Sequence, residues 1–341
     1  MLKLTTLFTL VFFMSRLSCP GISDDLEQIT LRGATMGTSY SIKIVEPASK
    51  IPDEKEIHND VKKLLRDVNW IMSTYIDNSE LSLFNQAKKN SWVEVSRDLV
   101  DLFRVAIDVS AKSNGAFDIT VGPLVNLWGF GPEHNESELP SESEIKARKK
   151  LIGYEHLLLQ DEPPALQKSI NGIYCDLSAI AKGWGVDQVA QLFESKNLHN
   201  YLVEIGGEIR AKGVNKKNGP WRIGVSAPDA FAGIQKVIAV RDVAVATSGD
   251  YRNYFEKDGV RYSHTIDPRT GRPIRHSLAS VTVIHESCMM ADAYATAINV
   301  LGEKEGMLFA EKENLAVFMI VKDTYDFVEK KTVSFEQYIS K

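Results

Sequence analysis

The stretch Tyr174–Gly185 holds three side chains that could do chemistry together: the carboxylate of Asp176, the hydroxyl of Ser178 and the amine of Lys182. It leads into a predicted helix, and the free backbone amides at a helix start attract anions such as phosphate. The lysine would strengthen that attraction, and the carboxylate suits a ribose hydroxyl or a metal ion. A capped helix with a surface lysine explains the same residues equally well.

A carboxylate and a hydroxyl are also paired at Asp292 and Thr296, on another predicted helix. Positions i and i+4 lie on one face of a helix, so the two oxygen groups would point the same way. Such ligands suit Mg²⁺, which keeps several waters and binds phosphate oxygens. Alternatively, Thr296 bonds to the helix backbone, and Asp292 caps the helix or pairs with another residue.

One histidine, His264, lies between a predicted strand and the turn Asp267–Gly271. An imidazole titrates near neutral pH and is the natural general base for a hydroxyl nucleophile. A structural role is the alternative for a lone histidine. The chain lacks both a Gly-x-x-x-x-Gly-Lys-Ser/Thr loop and a Gly-x-Gly-x-x-Gly motif at a strand–helix junction, so a nucleotide must be held in another way.

The elements that must position these residues begin with a predicted β-hairpin. Asn171-Gly172 favours a tight turn that joins the apolar alternations Leu166–Ile170 and Ile173–Leu177. Asp176 would then lie at the end of a strand, directly before the helix that Val186, Val189, Ala190 and Phe193 indicate.

The helix that carries Asp292 is predicted to begin after Ser287 and to end at Leu301, because Gly302 follows. Further helices are predicted at 61–72, 96–112 and 141–153, with a polar loop at 78–85. Strands are predicted at 40–45, 201–208, 221–226, 236–240, 243–248, 279–284 and 315–321, with a hairpin around 257–259.

The composition is that of a globular protein with a sizeable core. The chain has 341 residues, of which 44% are hydrophobic and 25% charged. Its formal net charge of −5 argues against nucleic-acid binding, because no basic face is apparent. Strands interleave with helices without a break in composition, so we expect one mixed domain of the α+β class, not a Rossmann fold.

The N-terminus is typical of an export signal: Met1-Leu2-Lys3 precedes the short apolar run Leu4–Met14. Cys19 follows where bacterial lipoproteins carry their acylated cysteine, although Arg16 stands where an aliphatic residue is usual. We therefore expect residues 1–19 to direct export from a bacterial cell. The mature protein would be periplasmic, or anchored to the inner membrane through a lipid on Cys19 and facing the periplasm.

The remaining cysteines, Cys175 and Cys288, fall inside predicted regular elements. Two such cysteines do not make a disulfide framework, and their spacing is not that of metal ligands. We expect both to be small core residues.

Taken together, the sequence closely resembles the ApbE family of FAD:protein FMN transferases. Eight blocks in family order carry this resemblance: Thr35-Met-Gly-Thr, Met72-Ser-Thr-Tyr with Glu80-Leu-Ser-Leu-Phe-Asn, Gly115-Ala-Phe-Asp, Asp176-Leu-Ser-Ala-Ile-Ala-Lys-Gly, Glu204-Ile-Gly-Gly-Glu, Thr247-Ser-Gly-Asp-Tyr, His264-Thr-Ile-Asp-Pro-Arg-Thr-Gly and Ala291-Asp-Ala-Tyr-Ala-Thr-Ala. Any one block is weakly specific, but all of them in order are highly specific. The resemblance implies a single ApbE-like domain over residues 30–341, with antiparallel or mixed sheets and packed helices.

The resemblance also implies a reaction and its partners. Such enzymes bind FAD, use Mg²⁺ to polarise its pyrophosphate, transfer FMN to a threonine hydroxyl of a target protein and release AMP. Typical targets are exported flavoprotein subunits of redox complexes.

Site residues follow by matching motifs to the family. The resemblance places FAD against Met36, Tyr75, Ala116, Phe117, Asp118, Asp176, Lys182 and Ile266. It places Mg²⁺ at the main-chain carbonyl of Ala179 and at Asp292 and Thr296, and it matches His264 to the family's proposed base.

This chain departs from the family pattern at Ala295, where many members carry an acid just before the metal-binding threonine. We therefore expect Mg²⁺ to have one carboxylate fewer and to bind more weakly, or to depend more on the phosphates of FAD. Two other functions fit the same residues: hydrolysis of FAD to FMN and AMP, and non-catalytic flavin binding by an exported lipoprotein.

Overall fold

The computed structural model describes residues 25–131, 139–227, 233–249, 254–257, 259–324 and 326–339. The predicted export segment and Cys19 lie outside these ranges. Seven α-helices are described: α1 (Glu54–Met72), α2 (Glu80–Gln86), α3 (Arg97–Lys112), α4 (Gly122–Leu127), α5 (Glu142–Lys149), α6 (Ala181–Ser195) and α7 (Cys288–Lys312). Short 3₁₀ helices span Tyr154–His156 and Val333–Tyr338. None of these helices is both long and apolar enough to cross a membrane.

The described strands range from two-residue pairs to ten-residue arms of a hairpin. In chain order they are β1 (Leu26–Thr35), β2 (Thr38–Pro47), β3 (Val93–Glu94), β4 (Leu157–Gln160), β5 (Ala165–Lys168), β6 (Tyr201–Ile205), β7 (Glu208–Lys212), β8 (Trp221–Ser226), β9 (Ile234–Val240), β10 (Val243–Gly249), β11 (Tyr254–Lys257), β12 (Val260–Ser263), β13 (Ile266–Asp267), β14 (Arg272–Pro273), β15 (Leu278–His285), β16 (Ala316–Lys322) and β17 (Phe327–Lys331).

An eight-stranded sheet in the order β1-β2-β6-β7-β10-β15-β16-β17 forms the centre of the fold. Every neighbouring pair in it is antiparallel. Successive side chains of a strand point to opposite faces, and the core divides accordingly. Ile44 belongs to a buried cluster beneath the helices, whereas Val45 belongs to the cluster on the opposite face.

Each face of the sheet is covered by a different layer. Helix α7 packs on β10 and β15, α6 packs on α7 and on β6 and β7, and α1 packs on α6. The opposite face is covered by the β8–β9 hairpin and the Val333–Tyr338 helix, with Trp221 and Phe335 in the shared core. The α+β class that the sequence predicts, with antiparallel sheets and packed helices, is confirmed.

Most predicted elements form where local chemistry indicates. Ser96, Ser141 and Ser287 each cap a helix through the side-chain oxygen, and Ser141 with Glu144 makes a full capping box. Antiparallel pairing of Lys257 with Val260 confirms the hairpin around 257–259.

Two local predictions are wrong. The hairpin at Asn171-Gly172 does not form: β5 pairs with β4 before it, and among the described residues Tyr174, after the turn, makes an isolated bridge to Val121 instead. The predicted polar loop at 78–85 contains α2, because Ser79 caps it by accepting from the Ser82 amide and Phe84 is buried in the core.

The first helical segment of α7 ends at Leu301, as predicted, and a second helical segment continues after Gly302 to Lys312. Gly302 has φ 75° and ψ −174°, a left-handed backbone that favours glycine. The kink removes the helical partner of the Asn299 carbonyl, and His276 Nε2 donates to that oxygen at 2.7 Å instead. Gly302 therefore separates the segment that carries Asp292 and Thr296 from a second, sheet-packing segment.

Candidate active site

A cavity of about 800 Å³ lies where the N-terminal parts of α6 and α7 meet the β6–β7 turn and the connection between β12 and β13. This volume is in the range of roughly 300–1,000 Å³ that is typical of small-molecule sites. All the predicted site residues except Met36 line it: Tyr75, Ala116, Phe117, Asp118, Asp176, Ala179, Lys182, His264, Ile266, Asp292 and Thr296. The fold thus brings together residues that lie far apart in the sequence.

Lys182 forms the electrostatic centre of the cavity. Its Nζ atom lies 3.2 Å from Glu208 Oε1 and 3.7 Å from Asp292 Oδ1, and both carboxylates are buried. Burial opposes the positive charge, but the two carboxylates outweigh it and raise the pKa of Lys182. The ammonium is therefore retained at neutral pH and available to an anionic ligand.

Glu208 is the acid that sequence reasoning left out of the site. Burial raises its pKa to about 8, against the opposing effect of the Lys182 ammonium. Its Oε2 atom is buried without a hydrogen-bond partner among the described residues. The Gly206-Gly207 turn places Glu208 at the start of β7, and a glycine pair between two strand patterns is the signal that could have indicated it.

The contact between α6 and α7 positions Asp292. The Gly183 amide donates to Asp292 Oδ2 at 3.0 Å, so this helix-start amide, expected to be free for phosphate, is already bound. A Cβ atom on Gly183 would lie 2.8 Å from Asp292 Cβ and closer still to the Cys288 carbonyl. Only glycine lets the two helices approach this closely.

The donor set of the cavity suits Mg²⁺. The Asp292 carboxylate, the Thr296 hydroxyl and the Ala179 segment lie on one cavity, and the buried, unpartnered Oε2 of Glu208 adds a further oxygen. In the described part of the chain, no group of three or more His, Cys, Asp and Glu side chains could hold a metal ion. A cation here would therefore complete its shell with waters or phosphate oxygens.

Ala295 supplies no side-chain oxygen to this donor set. It is 1% exposed and packs in the main core, whereas Asp292 and Thr296 line the cavity. The weaker Mg²⁺ binding expected from this departure stays a prediction.

His264 also lines the cavity, half-buried, directly after β12. Its ring contacts Phe130 edge-on, with 6.4 Å between ring centroids. Phe130 packs in turn against Phe255 of the neighbouring hairpin. This aromatic support fixes an imidazole beside the cavity, where it can accept a proton.

Asp176 and Asp118 both order the backbone of the cavity wall. Asp176 Oδ1 accepts from the Ser178 amide at 2.8 Å and the Ser178 hydroxyl at 2.5 Å. Asp118 accepts from the amide and hydroxyl of Thr120 and from the Tyr154 amide. Burial raises the pKa of Asp118, although these hydrogen bonds oppose the shift.

Tyr75 and Met36 occupy different environments. Tyr75 is 72% exposed at the rim of the cavity, where its ring can stack on a planar ligand. Met36 lies in the β1–β2 turn, and its Cε atom is 2.7 Å from where a Gly185 Cβ would be. Its side chain thus packs against α6 outside the cavity lining.

The remaining cysteines have the role that the sequence predicts. Cys175 and Cys288 are both free thiols and fully buried. Burial raises the pKa of each thiol well above its ordinary range, which excludes a reactive thiolate at neutral pH.

Comparison with known proteins gives a consistent result. The model of the ApbE family matches residues 36–319. The chain is 47% identical to the FAD:protein FMN transferase of Vibrio cholerae over 97% of this chain and 99% of that one, and 38% identical to that of Escherichia coli K12 over 94% and 92%.

Solved structures agree with these sequence relatives. The flavin transferase ApbE from Vibrio cholerae superimposes with a TM-score of 0.86 at 47% identity, covering 92% of this chain and all of that chain. The apo form of the Pseudomonas stutzeri flavinyl transferase ApbE superimposes with a TM-score of 0.85 at 38% identity, covering 92% and 97%.

Proposed function

Because this chain belongs to the ApbE family, we propose that it is an FAD:protein FMN transferase that moves FMN from FAD onto a threonine hydroxyl of another protein. The observation that supports this most directly is the cavity, which combines Lys182, Asp292, Thr296 and His264. It places the Lys182 ammonium, the oxygen atoms of Asp292 and Thr296 and the His264 imidazole on one small-molecule site. Such a set is suited to transfer of a phosphoryl-linked group.

The reaction is a displacement at phosphorus. The threonine oxygen attacks the phosphorus atom on the FMN side of the FAD pyrophosphate. The bond from that phosphorus to the bridging oxygen breaks, and AMP leaves with the bridging oxygen. The products are a phosphoester between FMN and the threonine, AMP and the proton of the hydroxyl.

The residues of the chain divide this work. Lys182 binds the pyrophosphate as a positive point charge, and Tyr75 stacks on a ring of FAD at the rim. His264 accepts the hydroxyl proton as the threonine attacks. Asp292, Thr296 and the Ala179 carbonyl would hold Mg²⁺, which when bound neutralises charge on the pyrophosphate.

A transfer assay tests this function. The protein without residues 1–19 is mixed with FAD, Mg²⁺ and a tagged acceptor that carries a flavinylation threonine. We expect a fluorescent acceptor band on a denaturing gel and an equal amount of AMP, both of which require Mg²⁺ and Asp292. AMP without a labelled acceptor would contradict transfer and indicate FAD hydrolysis; flavin binding with neither product would indicate a non-catalytic flavin carrier.

We further propose that the protein is exported and anchored through Cys19, and that its acceptors are flavoprotein subunits of exported redox complexes. The apolar run Leu4–Met14 after Lys3 supports export, and the position of Cys19 supports acylation. Cell fractionation of the wild type and Cys19→Ser tests the anchor. Membrane association of the wild type alone is expected, and equal release of both proteins into the periplasmic fraction would contradict acylation.

A further inference from the structure

The segment that delivers Asp176 to the cavity lacks the strand neighbour that its sequence predicts. Its backbone, residues 173–177, makes the Val121–Tyr174 bridge, the bond from the Asp176 amide to the Ile119 carbonyl at 2.7 Å, and two bonds in which the Leu177 carbonyl accepts from the Ile180 and Ala181 amides. Buried backbone groups need hydrogen-bond partners. Here, two side chains supply the hydrogen-bond partners that a neighbouring strand would otherwise provide.

The first is Asn85, in the last turn of α2. Its Nδ2 atom donates to the Cys175 carbonyl at 2.9 Å, and its Oδ1 atom accepts from the Cys175 amide at 2.7 Å. These are the two bonds that a neighbouring strand would make with one residue. A single side-chain amide therefore replaces one rung of a sheet directly beside Asp176.

The second is Lys168, at the end of β5, which is only 2% exposed. Its Nζ atom donates to the Ile173 carbonyl at 3.0 Å and to the Asn85 carbonyl at 2.7 Å. The ammonium also lies 5.5 Å from the centre of the Phe84 ring. It thus ties α2 to the same segment that the Asn85 side chain holds.

A buried lysine is an unusual choice for a purely structural position. Burial disfavours its charge and lowers the pKa of Lys168. The partners of the ammonium are carbonyl oxygens and an aromatic ring, which together stabilise the cation. One carbonyl belongs to Ile173, within the Asp176 segment, and the other to Asn85, which bonds to that segment, so the ammonium joins both.

We propose that Lys168 and Asn85 are positioning residues for FAD. They fix the Ile173–Leu177 segment, and through it Asp176 and the Ala179–Lys182 turn that opens α6. This inference rests on the proposed function, since it assumes that the cavity binds FAD. The described hydrogen bonds of both side chains go to α2 and to this segment, not to α7, which carries Asp292.

The test compares FAD affinity with stability in Lys168→Met and Asn85→Ala. Lys168→Met keeps most of the side-chain volume, and Asn85→Ala leaves the surrounding core unchanged. Both variants lose the side-chain donors to the Ile173–Leu177 segment. Binding is measured by flavin fluorescence in EDTA, and folding by thermal unfolding. We expect the dissociation constant for FAD to rise at least tenfold in each variant, and the Cys175 amide to exchange its hydrogen faster.

Val61→Ala is the matched control, because Val61 is fully buried in the separate cluster around α1. We expect it to lower the melting temperature while FAD affinity stays within about twofold of the wild type. If a variant fails to fold, Asn85→Asp provides a milder change, since it keeps the acceptor for the Cys175 amide and loses the Nδ2 donor.

Two outcomes separate this inference from the proposed function. Wild-type affinity for FAD in the Lys168 and Asn85 variants, with only the melting temperature reduced, would show a purely structural role and overturn the inference. If the wild type itself binds no FAD either in EDTA or with Mg²⁺ present, the proposed function fails instead.

Discussion

Lys182 is the residue whose environment says most about the chemistry. It lies between Glu208 and Asp292, and the raised pKa of Glu208 means that this acid holds its proton at neutral pH. The Lys182 ammonium and the Asp292 carboxylate then nearly cancel, so a bound cation and an anionic ligand would each compensate the charge of the other. Binding of FAD and Mg²⁺ is therefore expected to be mutually favourable, and variants of single residues should separate their contributions.

Removing Asp292 should slow flavin transfer far more than removing His264. A general base contributes roughly 100- to 10,000-fold, whereas Asp292→Ala removes both a cation ligand and the acceptor for the Gly183 amide. Initial rates of acceptor labelling at saturating FAD would measure both losses. The opposite order, in variants that melt within a few degrees of the wild type, would contradict this mechanism.

Glu208 should make the stability of the protein depend on pH. Its pKa is raised from 4.5 to about 8 in the folded state, so the folded protein holds this proton more tightly than the unfolded chain does. The contribution of Glu208 to stability is therefore greatest below about pH 4.5 and is lost as the pH rises to about 8.

Glu208→Gln removes that dependence. The difference in free energy of unfolding, Glu208→Gln minus wild type, should be larger at about pH 8.5 than at about pH 5.5, by at least about 1 kcal/mol. Urea unfolding in EDTA at the two pH values measures this difference. If the difference in free energy of unfolding between the two proteins were the same at both pH values, Glu208 would not hold the proton.

At the scale of elements, the junction of α6 and α7 decides where Asp292 and Thr296, the proposed cation ligands, lie. Asp187 of α6 is buried and accepts from the Cys288 and Met289 amides at the start of α7, from the Ser287 hydroxyl and from Arg210. Gly183, one turn earlier, lets α7 approach. The first turn of α7 is thus held by α6 rather than by its own cap alone.

Asp187→Ala should therefore destabilise the protein more than Ser287→Ala. Loss of Asp187 leaves Arg210 without its buried partner and should cost roughly 3–5 kcal/mol, whereas loss of the Ser287 cap should cost about 1 kcal/mol. The free energy of unfolding in urea would measure both. Equal losses would mean that α7 is held mainly by its own cap.

At the scale of the whole molecule, the cavity lies where elements from distant parts of the chain meet. Residues from the α1–α2 turn, α6, β7, β13 and α7 all contribute to its lining. A ligand that contacts all of them binds only the folded state, so it should stabilise the entire domain.

FAD with Mg²⁺ should accordingly raise the melting temperature. A ligand at a hundred times its dissociation constant adds about 2.7 kcal/mol, which corresponds to a shift of roughly 4 °C for a domain of this size. Thermal unfolding with FAD, Mg²⁺ or both would measure it, and riboflavin, which lacks phosphates, is the control ligand. A shift of the same size with riboflavin would show that the pyrophosphate contributes nothing.

The sequence by itself determined the features that depend on neighbouring residues. Serine caps set the starts of α3, α5 and α7, hydrophobic periodicity indicated α1 and α3, and the ordered motifs indicated the family and most of the residues that line the cavity. These features are local because capping and amphipathic packing involve residues within a few turns of each other.

Only the tertiary structure decided which polar groups satisfy one another. Ile173–Leu177 alternates like a strand, yet Asn85 and Lys168 occupy the place of its neighbour. Glu208 became a site residue only once β7 placed it beside Lys182, and burial of Ala295 in the core became visible only in the packed helix. Hydrogen-bond partners and the direction of a side chain depend on contacts between distant segments, which local sequence patterns do not encode.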